Sequence, residues 1–94
     1  MKVLVIDDDA GLRKSLSLIL RDAEHDVVVA EDGARGLVAA EAHEPDLILC
    51  DVRMPEMDGL EFLAKYKEGG GTALVMMITA YGSIDLAVEA MKQG

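Results

Sequence analysis

Carboxylate side chains follow two apolar segments of this sequence, at the points where buried strands would end. Asp7 and Asp8 come directly after the run 3–6, and Asp51 comes directly after the run 47–50. In an open parallel sheet the carboxyl ends of neighbouring strands share one edge, and ligands bind in the crevice there. If the strand order is 2-1-3-4, the first and third strands are neighbours, and we expect the three carboxylates to converge.

Carboxylates that lie close together repel one another and raise each other's pKa unless a cation neutralises them. Mg²⁺ suits such a site, because it binds through one or two carboxylates while keeping waters and positions for phosphate oxygens. The alternative for the aspartate triplet is helix capping and solvation, and Asp9 is the candidate N-cap. Asp51 fits that alternative less well, since a lone carboxylate after a buried strand costs free energy unless it has partners.

Two other motifs fit the triplet poorly. In a calcium loop, Asp7 and Asp9 would fill positions one and three, but Gly11 comes one place early and Leu18 stands where a bidentate glutamate is needed. The strand followed by D-x-D also resembles the start of a haloacid-dehalogenase-type phosphohydrolase. However, Gly11 replaces that family's usual threonine or valine, and the chain is short for such an enzyme. A small metal-dependent phosphohydrolase therefore stays the alternative function.

The composition predicts one small globular domain. The chain has 94 residues, of which 51% are apolar and 29% are charged. Its formal net charge of −9 would repel a phosphate backbone, so we expect no direct contact with nucleic acid. Apolar runs such as 74–78 are far shorter than the roughly 20 residues that cross a bilayer. With no signal-peptide pattern at the amino terminus, we expect a cytoplasmic protein without membrane contact.

The elements that must position the carboxylates follow an alternating strand-helix pattern, which predicts an α/β fold. Four apolar runs predict strands at 3–6, 27–30, 47–50 and 73–79. Helical spacing and capping residues predict a helix after Asp9, one from about Gly33 to His43, one after Asp58-Gly59 and one from Ser83 to Gly94. The strands are almost continuously apolar, as in parallel sheets covered on both faces, and we expect Cys50 to be buried.

Helical periodicity also predicts which side chains face the core. In the first helix these are Leu12, Leu16, Ile19, Leu20 and Ala23, and in the second they are Ala34, Leu37 and Val38. In the third, Phe62 and Tyr66 lie one turn apart and should pair.

Three segments resemble the receiver domain of two-component response regulators: Val3–Asp9, Asp46–Gly59 and Ile78–Gly82. The middle segment is the most specific, because Asp51 is followed by the sequence Met-Pro-Glu-Met-Asp-Gly at 54–59. The pattern continues to the end of the chain, where it is similar to receivers that precede ATPase and DNA-binding domains in bacterial enhancer-binding activators.

The resemblance implies a flavodoxin-like, doubly wound parallel sheet and a phosphorelay function. Asp51 would accept a phosphoryl group from the phosphohistidine of a sensor histidine kinase, and Thr79 would hydrogen-bond a phosphoryl oxygen. Mg²⁺ would be bound by Asp8, Asp51 and the backbone carbonyl of Arg53, and by Asp7 through water. The domain would be a switch rather than an enzyme, acting on an output domain or a downstream protein to control transcription. A pseudo-receiver that only mediates protein contacts is a further alternative.

The receiver pattern continues beyond Gly94 into a fifth strand, a lysine before a proline and a fifth helix, which the 94 residues do not contain. We therefore expect residues 1–94 to form a C-terminally incomplete receiver domain with a four-stranded sheet. The edge of the fourth strand would then be open to self-association through strand pairing.

Overall fold

The computed structural model describes residues 1–54 and 56–78, which form a four-stranded parallel sheet and three helices. The strands are β1 (Lys2–Ile6), β2 (Asp26–Ala30), β3 (Leu47–Asp51) and β4 (Leu74–Ile78). The helices are α1 (Ala10–Asp22), α2 (Gly33–His43) and α3 (Gly59–Glu68). The order of the strands in the sheet is β2-β1-β3-β4. The predicted α/β class, the flavodoxin-like order and the bounds of α2 are confirmed.

The register of the sheet aligns the carboxyl ends of its two central strands. Ile6 of β1 lies opposite Cys50 of β3. On the far side of β3, Asp51 pairs with Ile78, the last residue of β4. Asp7 and Asp51, each one residue beyond the Ile6–Cys50 pair, therefore emerge side by side at one edge of the sheet.

The fourth strand begins one residue later than predicted. Ala73 precedes β4, and its backbone N–H donates a hydrogen bond to the Tyr66 hydroxyl at 3.0 Å. Tyr66 in turn stacks on Phe62, with ring centroids 5.8 Å apart, so the predicted pair is confirmed. Thr79 and the predicted helix from Ser83 to Gly94 lie outside the described residues.

The two faces of the sheet are covered to different extents. The face towards α2 and α3 holds the main core, which includes Leu4, Ile6, Ile48, Cys50, Phe62, Val75 and Met77, all at least 96% buried. On the other face α1 contacts β1 and β2. Leu74 and Met76 of β4 point to that face and remain 47% and 37% exposed. Part of the apolar surface of β4 therefore remains exposed to solvent.

The predicted core faces of the first two helices are partly wrong. Ile19 in α1 is 65% exposed and Val38 in α2 is 69% exposed, whereas Ser17 in α1 is buried. The reason is that α1 turns the side holding Ser17 towards the strands, which rotates Ile19 into solvent. Among the helices described, none is long and apolar enough to cross a membrane.

Candidate functional site

Three carboxylates meet at the carboxyl edge of the sheet. Asp7, Asp8 and Asp51 each offer one oxygen atom, and these three atoms lie within 4.8 Å of one another. Asp7 is only 2% exposed, Asp51 is partly buried and Asp8 is exposed. The cluster therefore opens to solvent on the side of Asp8 and is enclosed on the side of Asp7.

The turn between β1 and α1 separates the clustered carboxylates from the one that caps the helix. Asp9 is the N-cap of α1, and its Oδ1 accepts hydrogen bonds from the N–H groups of Gly11 and Leu12 at 2.9 and 3.2 Å. The N–H of Asp9 donates to Oδ1 of Asp7 at 2.8 Å. Asp9 thus stabilises the helix with its side chain and orients Asp7 with its backbone, in agreement with the predicted capping role.

The backbone after β3 orients the third carboxylate. Oδ1 of Asp51 accepts a hydrogen bond from the N–H of Arg53 at 3.2 Å. The N–H of Val52 donates to the carbonyl of Ile78 at 3.1 Å, which extends the pairing of β3 with β4 by one residue. Asp51 is therefore the last residue of β3, and the sheet holds its backbone in place.

The start of α3 packs directly against this strand end. The N–H of Gly59 donates to the carbonyl of Val52 at 2.9 Å. A Cβ atom at position 59 would collide with the backbone oxygen of Asp51, so a glycine is required here. Asp58 caps α3 by accepting a hydrogen bond from the N–H of Glu61 at 2.8 Å. The Asp-Gly pair thus fixes the distance between α3 and the site.

Burial is the main influence on the ionisation of Asp7. It raises the pKa of the carboxyl above its ordinary value, while the hydrogen bond from the Asp9 N–H lowers that pKa. The carboxylates of Asp51, Asp8 and Asp9 raise the pKa further by repulsion. A cation bound beside Asp7 would therefore stabilise its ionised carboxylate.

The pKa of Asp51 is raised for similar reasons. Burial is again the largest cause, and the hydrogen bond from the Arg53 N–H acts in the opposite direction. Asp8 raises the pKa of Asp51 both by its charge and by a hydrogen bond between the two carboxyl groups. The oxygen atoms of Asp7, Asp8 and Asp51 lie within 4.8 Å of one another, so a divalent cation bound between them would relieve this repulsion. The donor set therefore fits a hard cation with oxygen ligands, such as Mg²⁺.

Cys50 lies one residue before Asp51 but belongs to the core. The residue is fully buried, and burial raises the pKa of its thiol to about 12. The neighbouring carboxylates Asp51, Asp7 and Asp58 act in the same direction. The thiol is therefore neutral at physiological pH, and the predicted packing role of Cys50 is confirmed.

Arg13 lies at the site but was not predicted from the sequence. The guanidinium group of Arg13, one turn into α1, donates a hydrogen bond to the backbone carbonyl of Asp7 at 2.6 Å. A cation four residues after an N-cap is a weak signal in a sequence, because most such side chains extend into solvent. Of the predicted site residues, Thr79 lies outside the described residues.

Comparison with known proteins identifies the domain. The family model for the response regulator receiver domain matches residues 3–94. The chain belongs to this receiver family. It is 42% identical over 92 residues to the transcriptional regulatory protein GlrR of Escherichia coli strain K12, covering 98% of this chain and 21% of that protein. It is 36% identical over 95 residues to the chemotaxis protein CheY of Listeria monocytogenes, covering 100% of this chain and 80% of that protein.

A solved structure leads to the same conclusion about the fold. The chemotaxis protein CheY4 of Vibrio cholerae superposes with a TM-score of 0.86 at 32% identity, covering 98% of this chain and 78% of that chain. The receiver domain thus spans most of the length of the two chemotaxis proteins, but only about a fifth of GlrR.

Receiver domains are signalling switches of phosphorelay systems rather than conventional enzymes, and they generally bind Mg²⁺ at acidic residues. In this receiver domain the Asp7, Asp8 and Asp51 cluster is a group of acidic residues that could hold such an ion.

Proposed function

We propose that this receiver domain accepts a phosphoryl group on Asp51 from the phosphohistidine of a sensor histidine kinase, in a reaction that depends on Mg²⁺. The observation that carries the proposal is the position of Asp51, whose carboxylate lies with those of Asp7 and Asp8 at the open edge of the sheet. Asp51 is also fixed by its surroundings, because its backbone pairs with Ile78 of β4 and its carboxylate accepts a hydrogen bond from the Arg53 N–H.

In this reaction a carboxylate oxygen of Asp51 attacks phosphorus. The new O–P bond forms as the P–N bond to the donor imidazole breaks, and the bonding electron pair returns to the imidazole nitrogen. Phosphoryl transfer depends mostly on positioning and charge neutralisation, so a fixed carboxylate and nearby charges suffice. The hydrogen bond from the Arg53 N–H holds Oδ1 of Asp51 and so fixes the direction of the carboxyl group.

The remaining site residues supply ligands and donors. Asp8, Asp51 and the backbone carbonyl of Arg53 would hold Mg²⁺ directly, and Asp7 would hold it through water. When bound, Mg²⁺ neutralises the carboxylates and the incoming phosphoryl oxygens. From the resemblance to receiver domains we assign Thr79 as the donor of a hydrogen bond to a phosphoryl oxygen. In the sequence Thr79 follows Ile78, the β4 residue that pairs with Asp51.

The output belongs to the same proposal. We infer that phosphorylation changes the conformation of the domain and thereby controls an output domain or a downstream protein in the cytoplasm. The resemblance to GlrR, a transcriptional regulatory protein, supports transcription as the process controlled. The receiver domain itself, with a net charge of −9, would not contact nucleic acid.

The test is to incubate the chain with acetyl phosphate, once with Mg²⁺ and once with a chelator, and to follow its intact mass. We expect a phosphoryl adduct with Mg²⁺ only, and peptide mapping should place it on Asp51. Release of phosphate in excess over protein, with no adduct, would instead favour the small metal-dependent phosphohydrolase. A folded chain that neither binds Mg²⁺ nor forms an adduct would favour a pseudo-receiver that only binds proteins.

We also propose that the chain self-associates through β4. Within residues 1–54 and 56–78, β4 pairs with β3 only, and its Leu74 and Met76 side chains are exposed. An unpaired strand edge beside apolar surface favours pairing with another chain. Met76→Lys should weaken self-association in sedimentation equilibrium, whereas Val38→Lys on α2, another exposed apolar position, should not. Equal association constants in the two variants would contradict the proposal.

A further inference from the structure

Arg13 reaches from α1 to the backbone of the acidic cluster. Its Nη1 atom donates a hydrogen bond to the backbone carbonyl of Asp7 at 2.6 Å, in a partly buried position. The same side chain lines a cleft of about 230 Å³ between α1, the end of β2 and the start of α2. Arg35 lines this cleft as well, but it forms ion pairs with Glu31 and Asp32 on its own side.

The hydrogen bond from Arg13 gives the backbone carbonyl of Asp7 a partner, and the other polar groups of Asp7 also have partners. The N–H of Asp7 donates to the carbonyl of Ala30 at 3.1 Å, and its Oδ1 accepts from the Asp9 N–H at 2.8 Å. With the Arg13 contact, the N–H, the carboxylate and the carbonyl of Asp7 each have a partner. The carbonyl of Asp7 and the N–H of Asp8 share one planar peptide group. Holding that carbonyl therefore also sets the direction in which Asp8 leaves the strand.

The charge of Arg13 and its hydrogen bond to Asp7 would have opposite effects on Mg²⁺ binding. If the guanidinium acted only through its charge, it would repel a cation at the cluster, and its removal would strengthen Mg²⁺ binding. If it acts by holding the Asp7–Asp8 peptide, its removal would let the carboxylates separate, and Mg²⁺ binding would weaken. The sign of the change therefore distinguishes the two roles.

We propose that Arg13 is a positioning residue for the Asp7, Asp8 and Asp51 cluster, acting through the peptide that joins Asp7 to Asp8. The inference rests on the proposed Mg²⁺ site and adds a residue that does not itself touch the ion. Outer partners that orient metal ligands typically contribute roughly 10-fold to 100-fold in metal affinity. We expect an effect of about tenfold here, because other bonds also hold Asp7.

The experiment compares Arg13→Gln with Arg35→Gln in the full chain. Both variants lose one positive charge beside the same cleft. Any extra charge effect of Arg13, which contacts Asp7, would strengthen Mg²⁺ binding when removed, so weaker binding in Arg13→Gln reports positioning. Isothermal titration with MgCl₂ should give about tenfold weaker binding for Arg13→Gln than for Arg35→Gln. Equal or tighter binding in Arg13→Gln would overturn the proposal.

A second readout works without metal. In chelator, the amide of Asp9 should exchange its hydrogen faster in Arg13→Gln than in Arg35→Gln, because its acceptor Asp7 is no longer fixed. Faster exchange throughout β1 and β2 would instead indicate general destabilisation and would contradict a local positioning role. If the parent chain does not bind Mg²⁺, the proposed metal site fails, and the exchange of Asp9 still decides the role of Arg13.

If Arg13→Gln does not fold, the conservative variants Arg13→Lys and Arg35→Lys can be compared instead. Arg13→Lys keeps the charge but loses the planar fork of the guanidinium group. We expect its Mg²⁺ affinity to be lower than that of Arg35→Lys, with increased exchange confined to Asp9 and its neighbours. Indistinguishable affinity and exchange in the two lysine variants would overturn the proposal.

Discussion

The strand β3 has an aspartate at each end, and the two carboxylates have opposite kinds of neighbours. Asp46 precedes the strand and is exposed, and its Oδ2 accepts a hydrogen bond from the N–H of Lys2 at 2.8 Å. Asp51 ends the strand, is partly buried and lies among the carboxylates of Asp7 and Asp8. Asp46 is thus matched to a donor. Asp51 also has one donor, the Arg53 N–H, but it lies beside two other carboxylates.

The backbone of Asp46 supports the same distinction. Its N–H donates to the carbonyl of Lys2 at 2.8 Å, and its carbonyl accepts from the N–H of Leu74 at 3.2 Å. Asp46 therefore joins the amino ends of β1, β3 and β4, which is a structural role. A carboxylate whose neighbours are other carboxylates does not stabilise the fold by itself, and such an arrangement is typical of sites that bind a cation or carry out a reaction.

The largest expected effect is the loss of phosphorylation, and it concerns only the Asp51 end of β3. Asp51→Asn should abolish phosphorylation by acetyl phosphate, because an amide is not the nucleophile that a carboxylate is. Asp46→Asn is the matched control and should be phosphorylated at the parent rate. Intact-mass spectrometry over time measures both. An adduct on Asp51→Asn that maps to another residue of the domain would contradict the assignment of the phosphoacceptor.

The next effect concerns Mg²⁺ affinity. Asp51→Asn and Asp8→Asn each replace a charged ligand by a neutral one, so most of the Mg²⁺ binding should disappear. The loss should exceed the roughly tenfold that removal of an outer partner costs. Isothermal titration measures it, with Asp46→Asn as the control of unchanged affinity. Equal affinity in the parent and in Asp51→Asn would rule out the proposed metal site.

A smaller effect is expected in the pH dependence of stability. The pKa of Asp7 is raised in the folded protein above the value of 3.8 of an exposed aspartate. Its contribution to stability is therefore complete below that ordinary pKa and is lost as the pH rises through the raised pKa. In chelator, Asp7→Asn should be more stable than the parent at neutral pH, by on the order of 1 kcal/mol.

Urea unfolding at acidic and neutral pH measures this difference, and the advantage of Asp7→Asn should disappear at acidic pH. Excess Mg²⁺ should stabilise the parent more than the variant. Asp46→Asn, which weakens a structural bond, should gain no stability at either pH. A parent chain that becomes more stable from acidic to neutral pH relative to Asp7→Asn would show that the sign is wrong.

The smallest effect concerns the amino end of β3. Asp46→Ala should lower the free energy of unfolding by about 1 kcal/mol, since it removes the acceptor of the Lys2 N–H. This loss should be the same with and without Mg²⁺, because Asp46 lies at the end of β3 away from the cluster. A loss that depends on Mg²⁺ would mean that the two ends of the strand are coupled, and the distinction between them would fail.

Much of this arrangement follows from the linear sequence. The apolar runs before Asp7 and Asp51 predict strands, and parallel strands bring their carboxyl ends to one edge. Asp9 and the Asp58-Gly59 pair are local signals for the starts of α1 and α3, since capping depends on few neighbours. These features were predictable because each depends on the chain within a few residues or on one rule of topology.

Other features depend on how the helices dock. Periodicity groups Leu16 and Ile19 on one face of α1, yet Ile19 is 65% exposed and Ser17 is buried. Periodicity indicates which residues share a face but not which face meets the sheet, because that depends on the side chains of other elements. The exposure of Val38 has the same origin, since α2 packs through other residues, including Gly36 and Ala40.

The sequence by itself determined that Asp7, Asp8 and Asp51 follow the ends of buried strands, because strand ends are encoded locally. With the strand order 2-1-3-4, it also predicted that the three carboxylates meet. Only the tertiary structure decided that Asp7 is enclosed while Asp8 faces solvent, and that Arg13 holds the carbonyl of Asp7. Burial and long side-chain contacts depend on the packing of α1 and α2 around the end of β1. That packing results from many weak apolar contacts distributed over the chain, and no short motif records it.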